Sequence, residues 1–353
     1  MNYLHRLKIF DQFNCLGSSC PQTCCANWVL PLEEKDIAYY KKNPKILGEL
    51  KENFDFEQKI IKSTNKRCNN LDESGLCKLH TKSSHKALPL VCKTYPRYVI
   101  DIEHDLWYTG TLSCPEIVNL LFSHEGDLFH PKKRLTSKAK RADKNIVIRL
   151  EFIDQYMQNL SLLQQEDLRP FFIEYHKLFN TCFNQKSKNT EISLPTFSNT
   201  ILYTLMYIKN LHVRELVEQT LELLEQQGLI INDQYFSDDF PMLTKQRFLD
   251  LPSDLRKKIW AFFKKTLYVG SIIFLKKQSL QVTLLWQSTY IITFLSLGIW
   301  NSNNEDIEHW KRICYQFGRI SHAKIGILKM PLLETHSTTI FLLYELLKEP
   351  ETA

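Results

Sequence analysis

The sequence predicts a mainly α protein, with a small cysteine-rich α+β module at residues 1–130 followed by an all-α helical domain at residues 145–353. Two patterns support this fold class. Eight of the ten cysteines lie before residue 115, in a region where short elements alternate with turns. From residue 145 onward, apolar residues recur at intervals of three or four, which is typical of amphipathic helices. Residues 131–144 carry a basic run and are predicted to link the two parts.

Local signals define the elements of the cysteine-rich module. Residues Glu33–Lys42 are predicted to form a helix that ends at Asn43-Pro44, since proline cannot continue it. Tyr98–Ile102 and Leu106–Thr109 flank a polar turn and predict a β-hairpin. The run Ser113-Cys114-Pro115-Glu116 predicts a helix start, because proline and an acidic residue are both favoured in the first turn.

The helical domain is predicted from the spacing of its apolar residues and from glycines placed to end helices. Gly228 and Gly318 follow two of the periodic segments and are expected to stop them. Cys182 and Cys314 fall on apolar helix faces, so we interpret them as small buried hydrophobic residues. The predicted helices cover Ile146–Leu160, Leu168–Cys182, about Asn199–Gln227, a segment starting at Ser253 or Asp254, Ile307–Phe317 and a segment starting near Ser337.

One stretch of the helical domain raises the question of a membrane. Residues 278–304 contain no charged side chain, and a helix of that length would span a bilayer. Several Gln, Ser and Thr residues interrupt the stretch, so we interpret it as a buried core helix, with a membrane span or peripheral membrane contact as the alternatives. Residues 1–8 lack the apolar core of a signal peptide, which predicts a cytoplasmic location where thiols stay reduced.

The charge pattern limits the class of partner. The formal net charge is +6, which fits an acidic partner or an anionic surface. No aromatic residue interleaves with the Lys and Arg residues of the linker, whereas single-stranded nucleic acids are bound by basic and aromatic side chains together. We therefore predict no nucleic-acid partner.

The eight N-terminal cysteines form two clusters in the sequence. In a cytoplasmic protein, clustered cysteines more often bind metal or do chemistry than form disulfides. Four thiolates can enclose one zinc ion or one iron–sulfur cluster, so eight allow two sites, or one site and additional structural thiols. The candidate metal ligands are Cys15, Cys20, Cys24 and Cys25 in the first cluster, and Cys68, Cys77, Cys92 and Cys114 in the second.

The spacing of these cysteines leaves the metal open. In an extended segment the adjacent side chains of Cys24 and Cys25 point in opposite directions, so one would be a ligand while the other packs or serves a second site. The short cysteine runs of ferredoxins and the paired knuckles of zinc ribbons are both absent. The pattern of radical adenosylmethionine enzymes also fails, because Asn27 stands where its third cysteine would be.

Four segments carry a more specific resemblance. They are Cys15–Trp28, Cys68–Cys77, Val91–Arg97 and Leu112–Glu116. In order and spacing they resemble the flagellin lysine-N-methylase family, the FliB-type proteins of flagellated bacteria. More loosely, they resemble a broader family of cysteine-rich zinc- or iron-chelating proteins. The resemblance covers the cysteine-rich module and is weaker in the helical half.

The resemblance implies an activity, two cofactors and a partner. It implies transfer of methyl groups from S-adenosylmethionine to lysine ε-amines of flagellin. It also implies an oxygen-sensitive [4Fe–4S] cluster held by the cysteine-rich region, and an association with the membrane. The chain has no Gly-x-Gly sequence, so a Rossmann-type cofactor turn is not indicated.

Lysine methylation requires a group that takes the proton of the ε-ammonium, whose ordinary pKa is about 10.4. A carboxylate or a tyrosine can assist, so Glu116 and Tyr95, which lie beside the matching cysteines, are the candidate catalytic residues. Arg97 is the candidate for binding the methionine carboxylate of the cofactor, because a guanidinium binds carboxylates bidentately. The alternative roles are a first-turn acid for Glu116, simple packing for Tyr95 and a structural ion pair for Arg97.

A second class of function stays open at this point. The protein would then be a non-catalytic zinc- or iron-binding interaction module whose fold is held together by the metal. A redox protein that uses the vicinal Cys24 and Cys25 is the least favoured hypothesis, because it leaves the other six N-terminal cysteines unexplained.

Overall fold

The fold class is confirmed by a computed structural model, in which a cysteine-rich region with several small sheets precedes a helical region. The structure describes residues 3–102, 105–135, 147–148, 153–183, 198–202, 204–205, 214–231, 235–275, 280–301, 307–320 and 336–347.

The strands are β1 (Tyr3–Arg6), β2 (Leu30–Pro31), β3 (Phe54–Asp55), β4 (Ile60–Ile61), β5 (Ser63–Thr64), β6 (Arg67–Cys68), β7 (Arg97–Ile102), β8 (Asp105–Gly110), β9 (Lys133–Arg134), β10 (Val147–Ile148), β11 (Ile230–Ile231) and β12 (Tyr235–Phe236). The helices are α1 (Glu34–Lys42), α2 (Lys78–Lys82), α3 (Leu90–Thr94), α4 (Pro115–Ser123), α5 (Ile153–Leu162), α6 (Arg169–Cys182), α7 (Arg214–Gln226), α8 (Phe240–Asp250), α9 (Ser253–Leu275), α10 (Leu280–Asn301), α11 (Ile307–Ile320) and α12 (His336–Leu347).

Local sequence signals explain the ends of the first helix and the start of α4. Helix α1 begins with a capping box, in which Glu33 and Asp36 each accept a hydrogen bond from the other's backbone N–H. It ends at Asn43, as predicted. Helix α4 begins at Pro115 with Cys114 as its N-cap, so both predicted boundaries are confirmed.

A five-stranded sheet joins the two ends of the cysteine-rich region. Its strand order is β10-β7-β8-β1-β9. The predicted hairpin is confirmed as β7–β8, an antiparallel pair that runs from Arg97 opposite Gly110 to Ile102 opposite Asp105. Strand β1 pairs in parallel with β8 and places His5 opposite Trp107. The sheet thereby brings the start of the chain beside the hairpin, a long-range pairing that no local pattern indicates.

Two hydrophobic cores divide the described residues. The smaller one, here called the module core, lies within residues 30–92. The larger one, the main core, contains Leu7, Ile100 and Ile117 together with the helical region. The sheet and α4 therefore pack as part of the helical body, whereas residues 30–92 enclose a core of their own. The module core consists of Leu30, Leu32, Ile37, Tyr40, Leu47, Leu50, Phe54, Ile61, Cys68, Leu79, Ala87 and Leu88.

Helix α10 covers most of the uncharged stretch and lies in the middle of the main core. It packs against α6, α7, α8, α9, α11 and α12. Polar side chains of this helix find partners within the core, as where the Gln287 amide N–H donates to the Ser271 hydroxyl at 2.8 Å. This agrees with the interpretation of a buried helix. Among the described helices, none combines the length and the apolar character that crossing a membrane requires.

Two predicted helix boundaries in the second half are wrong. The helix predicted from Ile146 does not include Val147 and Ile148, which form strand β10 and pair with β7; the described helix covers Ile153–Leu162. Long-range pairing of β-branched residues overrides the helical spacing there. Helix α11 also continues past Gly318 to its end at residue 320.

Gly318 is needed for packing and does not end the helix. A Cβ atom at this position would lie 2.5 Å from the carbonyl carbon of Leu112 and 2.5 Å from the nitrogen of Ser113. The absence of a side chain lets α11 approach the backbone that leads into Cys114. The helical body thus packs directly against the cysteine-rich region.

The structure describes only the start of the predicted basic linker. Lys133 and Arg134 form β9, which pairs with Tyr3 and Leu4 of β1. Residues 136–146 lie outside the described residues. The described part of the predicted linker therefore contributes an edge strand to the sheet.

Candidate metal centre

Packing separates the eight N-terminal cysteines into two groups. All of them are free thiols in the structure. Cys68 belongs to the module core, and Cys25, Cys77 and Cys92 pack against that same core. Cys114 is buried in the main core instead. Cys25, Cys68, Cys77 and Cys92 therefore lie around one small apolar core, whereas Cys114 lies in the other core.

The pKa values of the thiols give the same grouping, because each responds to neighbouring thiolates. Burial raises the pKa of Cys92, and the nearby Cys25, Cys68 and Cys77 raise it further. Burial likewise raises the pKa of Cys68 to about 11, with smaller contributions from Cys25 and Cys77. We call Cys25, Cys68, Cys77 and Cys92 the module set.

The remaining four thiols are linked through Cys15, which interacts with both Cys114 and Cys24. Burial raises the pKa of Cys114 to about 12, and Cys20 and Cys15 act in the same direction. The pKa of Cys24 is raised first by its hydrogen bond to Cys25, then by burial, and further by Cys15 and by Cys92 of the module set. We call Cys15, Cys20, Cys24 and Cys114 the junction set, because it lies where the module meets the helical body.

The vicinal pair connects the two sets. The hydrogen bond from Cys24 and a second one from the Thr23 hydroxyl lower the pKa of Cys25 to about 7, while Arg67 adds a favourable charge. The Trp28 indole N–H donates to the Cys24 carbonyl oxygen at 2.6 Å and fixes the backbone there. The expected extended conformation is wrong, because Cys24 and Cys25 lie in a turn and their side chains are hydrogen-bonded to each other; whether the two thiols serve one site or two stays a prediction.

Backbone hydrogen bonds explain how distant parts of the chain form the module set. The Cys68 N–H donates to the Cys25 carbonyl oxygen at 2.8 Å. Between Cys68 and Cys77 the chain reverses in a tight turn, in which the Gly75 N–H donates to the Asp72 carbonyl oxygen at 3.1 Å. Gly75 has a φ of 83°, a conformation that glycine adopts without strain.

One thiol of each set stands at the N-terminal end of a helix. Cys77 is the N-cap of α2 and Cys114 is the N-cap of α4. Burial raises the pKa of both thiols, while backbone N–H groups of the first turn, those of His80 and Ile117 among them, donate to the sulfur atoms and lower it. Helix N-termini thus partly offset the cost of a thiolate at these positions.

The donor chemistry fits a soft metal centre. Within the described residues, no three His, Cys, Asp or Glu side chains are already arranged around one point as metal ligands. The two sets are therefore groups of neighbouring donors rather than closed coordination shells. Each contains thiols alone, and most of these are shielded from water, where a thiolate requires a nearby positive charge. Zinc and the iron of iron–sulfur clusters both accept such thiolate ligands.

The structure places two of the three other candidate residues next to Cys114. The Tyr95 hydroxyl lies 3.2 Å from the Ser113 hydroxyl, one residue before that thiol. Glu116 lies in the first turn of α4, immediately after it, and its side chain is a distant acceptor for the Asn119 amide at 3.5 Å. The catalytic roles of Tyr95 and Glu116 stay predictions.

Arg97 is held by aromatic rings at the start of β7. Its guanidinium lies 4.6 Å from the centre of the Phe13 ring and 5.6 Å from that of Phe10. It forms no ion pair with a carboxylate in the described part of the chain. Its predicted role in binding the cofactor carboxylate stays a prediction.

A cavity lies at the other end of the hairpin, and no sequence pattern indicated it. The cavity has a volume of about 1110 Å³ and lies between the sheet, α5 and α9. His5 and Asp105 line it, and the His5 Nε2 atom lies 2.9 Å from a carboxylate oxygen of Asp105. Parallel pairing of β1 with β8 brings these two residues together across 100 positions. No spacing in the sequence could have indicated the pair.

The cysteine-rich region matches known proteins. Residues 14–115, which hold all eight N-terminal cysteines, match the family model described as "Putative zinc- or iron-chelating domain". The chain is 25% identical over 130 residues to the flagellar biosynthetic protein FliU of Salmonella muenchen. It is also 25% identical over 131 residues to the lysine-N-methylase of Salmonella typhimurium, and 25% over 130 residues to that of Salmonella choleraesuis. The resemblance found in the sequence is confirmed.

The matched part is limited in each of these proteins. It covers 31% of this chain and 72% of FliU, but 32% of this chain and 30% of the Salmonella typhimurium lysine-N-methylase. For the Salmonella choleraesuis protein the shares are 31% and 30%. The chain thus spans less than a third of the two lysine-N-methylases that it matches. No solved structure matches the chain.

Proposed function

We propose that the protein is a metal-dependent methyltransferase that transfers methyl groups from S-adenosylmethionine to lysine ε-amino groups of flagellin. The observation that carries this proposal is the alignment of about a third of the chain with two proteins named lysine-N-methylase. Flagellin as the acceptor is supported by the name of a third relative, a flagellar biosynthetic protein. We place the reaction in the cytoplasm, with peripheral membrane contact as the alternative arrangement.

We assign a [4Fe–4S] cluster to the module set. All four of these thiols are at least partly buried around the module core, whereas the junction set includes the exposed Cys15. The module core has twelve buried residues, and a core of that size usually needs a metal or a disulfide to stay folded. When bound, the cluster would supply iron with an accessible redox change. Cys25, Cys68, Cys77 and Cys92 would hold it, and the junction set supplies the alternative ligands.

From the sequence we assign the role of proton acceptor to Glu116 or Tyr95, and the binding of the cofactor carboxylate to Arg97. Support for the first two is their position on either side of Cys114. Support for Arg97 is its position at the start of β7, two residues after Tyr95, where the rings of Phe13 and Phe10 hold its guanidinium. Substitution of each side chain by Gln, Phe and Lys, respectively, tests these roles.

A second candidate function is favoured by the limited extent of the match. The alignment covers only 30% of each lysine-N-methylase, and the one family model that matches describes a chelating domain, at residues 14–115. The protein would then be a non-catalytic zinc- or iron-binding interaction module. In that case zinc would stabilise the module core, and a chelator would unfold residues 30–92.

Methyl transfer to flagellin separates the two candidates. Protein purified without oxygen is incubated with flagellin and isotopically labelled S-adenosylmethionine, and flagellin lysines are analysed by mass spectrometry. The proposal expects methyl groups on lysine ε-amines. If metal-replete protein leaves flagellin unmodified, the methyltransferase proposal fails and the interaction module is favoured.

A further inference from the structure

The cavity lies apart from both cysteine sets. It opens at the end of the hairpin formed by Ile102 and Asp105, whereas Tyr95 and Cys114 lie beyond the other end. Six-residue strands separate the two ends by about 17 Å. Its volume of about 1110 Å³ exceeds that of most small-molecule pockets, so it can hold a sizeable ligand. It also lies between the sheet and the helical body, where ligand sites are common.

An acid–base pair stands in the wall of this cavity. His5 is 5% exposed, and its Nε2 atom is 2.9 Å from Asp105 Oδ2. The second carboxylate oxygen of Asp105 accepts a hydrogen bond from the Tyr3 N–H at 2.8 Å, which fixes the carboxylate. Burial lowers the pKa of His5, although Asp105 opposes this, so the ring is neutral near pH 7. With Nε2–H donating to Asp105, Nδ1 remains a proton acceptor.

Aromatic rings surround this pair. The His5 and Trp107 rings are stacked, with centroids 3.8 Å apart and planes inclined by 3°. Phe129 meets Trp107 edge-on at 5.5 Å, and Tyr268 lies 6.4 Å from it. Aromatic faces attract alkylammonium groups and also pack against the methylene chain that carries them.

The lining carries charges of both signs. Exposed carboxylates of Glu125, Asp127 and Asp154 lie among the lining residues. Two lysines of the lining are held by backbone carbonyls, since Lys265 Nζ donates to the His124 oxygen at 2.7 Å and Lys264 Nζ donates to the Gln165 oxygen at 3.0 Å. The exposed Lys132 is the third lysine of the lining. The exposed carboxylates are available to an ammonium group, although the charges of the lining as a whole nearly balance.

We propose that this cavity receives the side chain of a substrate lysine and that His5 takes the proton of its ε-ammonium group. This inference rests on the proposed methyltransferase function, moves its proton acceptor from Glu116 or Tyr95 to His5, and places the methyl donor at the cavity instead of at Arg97, which lies at the other end of the hairpin. Asp105 is the positioning residue that holds the imidazole. The aromatic rings of Trp107 and Tyr268 receive the methylene chain.

The reaction balances with the sulfonium methyl donor of the proposed function. The ε-ammonium N–H bond breaks and the proton moves to the imidazole of His5. The lone pair of the amine forms a new N–C bond to the methyl carbon, the C–S bond breaks, and its electron pair stays on sulfur. The imidazolium then releases the proton to water. No oxidant or reductant is consumed.

Binding of a blocked lysine tests the inference without an activity assay. The probe is Nα-acetyl-lysine N-methylamide, and the control probe is the norleucine analogue, which lacks the amine. The histidine-ring NMR signals of the full-length, metal-replete protein are followed during titration. We expect the lysine probe to shift the His5 signals and to bind at least about tenfold more tightly than norleucine, as one charge-assisted hydrogen bond predicts.

The variant His5→Phe keeps a ring stacked on Trp107 but removes both nitrogen atoms. Its matched control is His85→Phe at an exposed position of the module. We expect His5→Phe, and not the control, to abolish the preference for lysine over norleucine. If His5→Phe does not fold, titration of the wild-type protein with the two probes still tests the cavity assignment. An unshifted His5 signal, or equal binding of the two probes, would overturn the cavity assignment.

The outcomes separate this inference from the proposed function. Protein that binds the lysine probe at His5 but never methylates flagellin supports the cavity assignment and overturns the methyltransferase. Protein that methylates flagellin as fast in the His5→Phe variant as in the wild type overturns the cavity assignment alone.

Discussion

The two ends of the β7–β8 hairpin differ in two ways: a sequence pattern indicates only one of them, and their side chains suit different chemistry. The end at Arg97 and Gly110 joins the cysteine sets, whose clustering is plain in the sequence. The end at Ile102 and Asp105 opens on the cavity, whose acid–base pair no motif reveals. The conspicuous residues are thus the candidate metal ligands, while the pair placed for proton transfer lies at the other end of the hairpin.

The largest expected effect is a loss of iron, which should follow from substitution of the module set and not of the junction set. Replacing the four module-set cysteines by serine should remove iron and unfold residues 30–92, because the module core then loses its metal. Replacing the junction set should leave the iron in place. Iron analysis and limited proteolysis of protein prepared without oxygen measure both effects. Cys182→Ser, on helix α6, is the control for the substitution itself.

A reversed result would change the assignment. Iron lost from the junction-set variant and retained in the module-set variant would move the cluster beside Cys114 and the helical body. The candidates Tyr95 and Glu116 would then gain support, since they flank Cys114.

The second effect compares the two ends of the hairpin during catalysis. His5→Phe should lower kcat for flagellin methylation by about 10²- to 10⁴-fold, the usual contribution of a general base. Glu116→Gln and Tyr95→Phe should change kcat by much less. Steady-state rates of the three variants, with thermal unfolding as a check on folding, provide the test. A large loss in Glu116→Gln combined with normal His5→Phe activity would return the proton acceptor to the cysteine end.

The third effect concerns the packing of the helical body against the cysteine-rich region. Gly318→Ala should lower the free energy of unfolding by about 1–3 kcal/mol, because its Cβ would meet the backbone at Leu112 and Ser113. Urea unfolding measures the change. The control Gly298→Ala is crowded against Trp310 instead and should destabilise the protein without altering the environment of Cys114. Equal stability of Gly318→Ala and wild type would show that this contact is looser than described.

The smallest effect is a pH dependence of stability at the cavity end. The pKa of His5 is lowered by burial, against the raising effect of Asp105, while Lys132 also lowers it. Below its ordinary value of 6.5 the unfolded chain therefore binds a proton that the folded chain does not. The free energy of unfolding should fall as the pH drops below 6.5, by at most about 1.4 kcal/mol per pH unit from this group. His5→Phe should lack this component in urea titrations at several pH values, and an unchanged slope would contradict the burial of a neutral ring.

Local signals in the sequence allowed part of the fold to be predicted, and long-range pairing accounts for the rest. Glu33, Asp36 and Pro115 mark helix ends through contacts within one turn, so α1 and α4 were predictable. The alternation of side chains expected of an extended segment does not apply to Cys24 and Cys25, because the two residues lie in a turn. Pairing of β1 with β8 depends on residues far apart in the chain, and no periodicity reports it.

Gly318 also shows that a local sequence signal cannot predict a role that depends on long-range packing. A glycine after an apolar helical run predicts a helix stop, because glycine frees the chain to leave the helix. The structure instead uses its missing side chain for a close approach to the backbone at Leu112. Which of the two purposes a glycine serves depends on its three-dimensional neighbours, which the sequence does not contain.

Metal content tests the central claim most directly. The wild-type protein is purified without oxygen, its iron and zinc are quantified, and its visible spectrum is recorded. We predict about four irons per chain and a brown absorption band that bleaches in air, as one [4Fe–4S] cluster requires. One or two zinc ions and a colourless protein would contradict this prediction and would favour the non-catalytic interaction module.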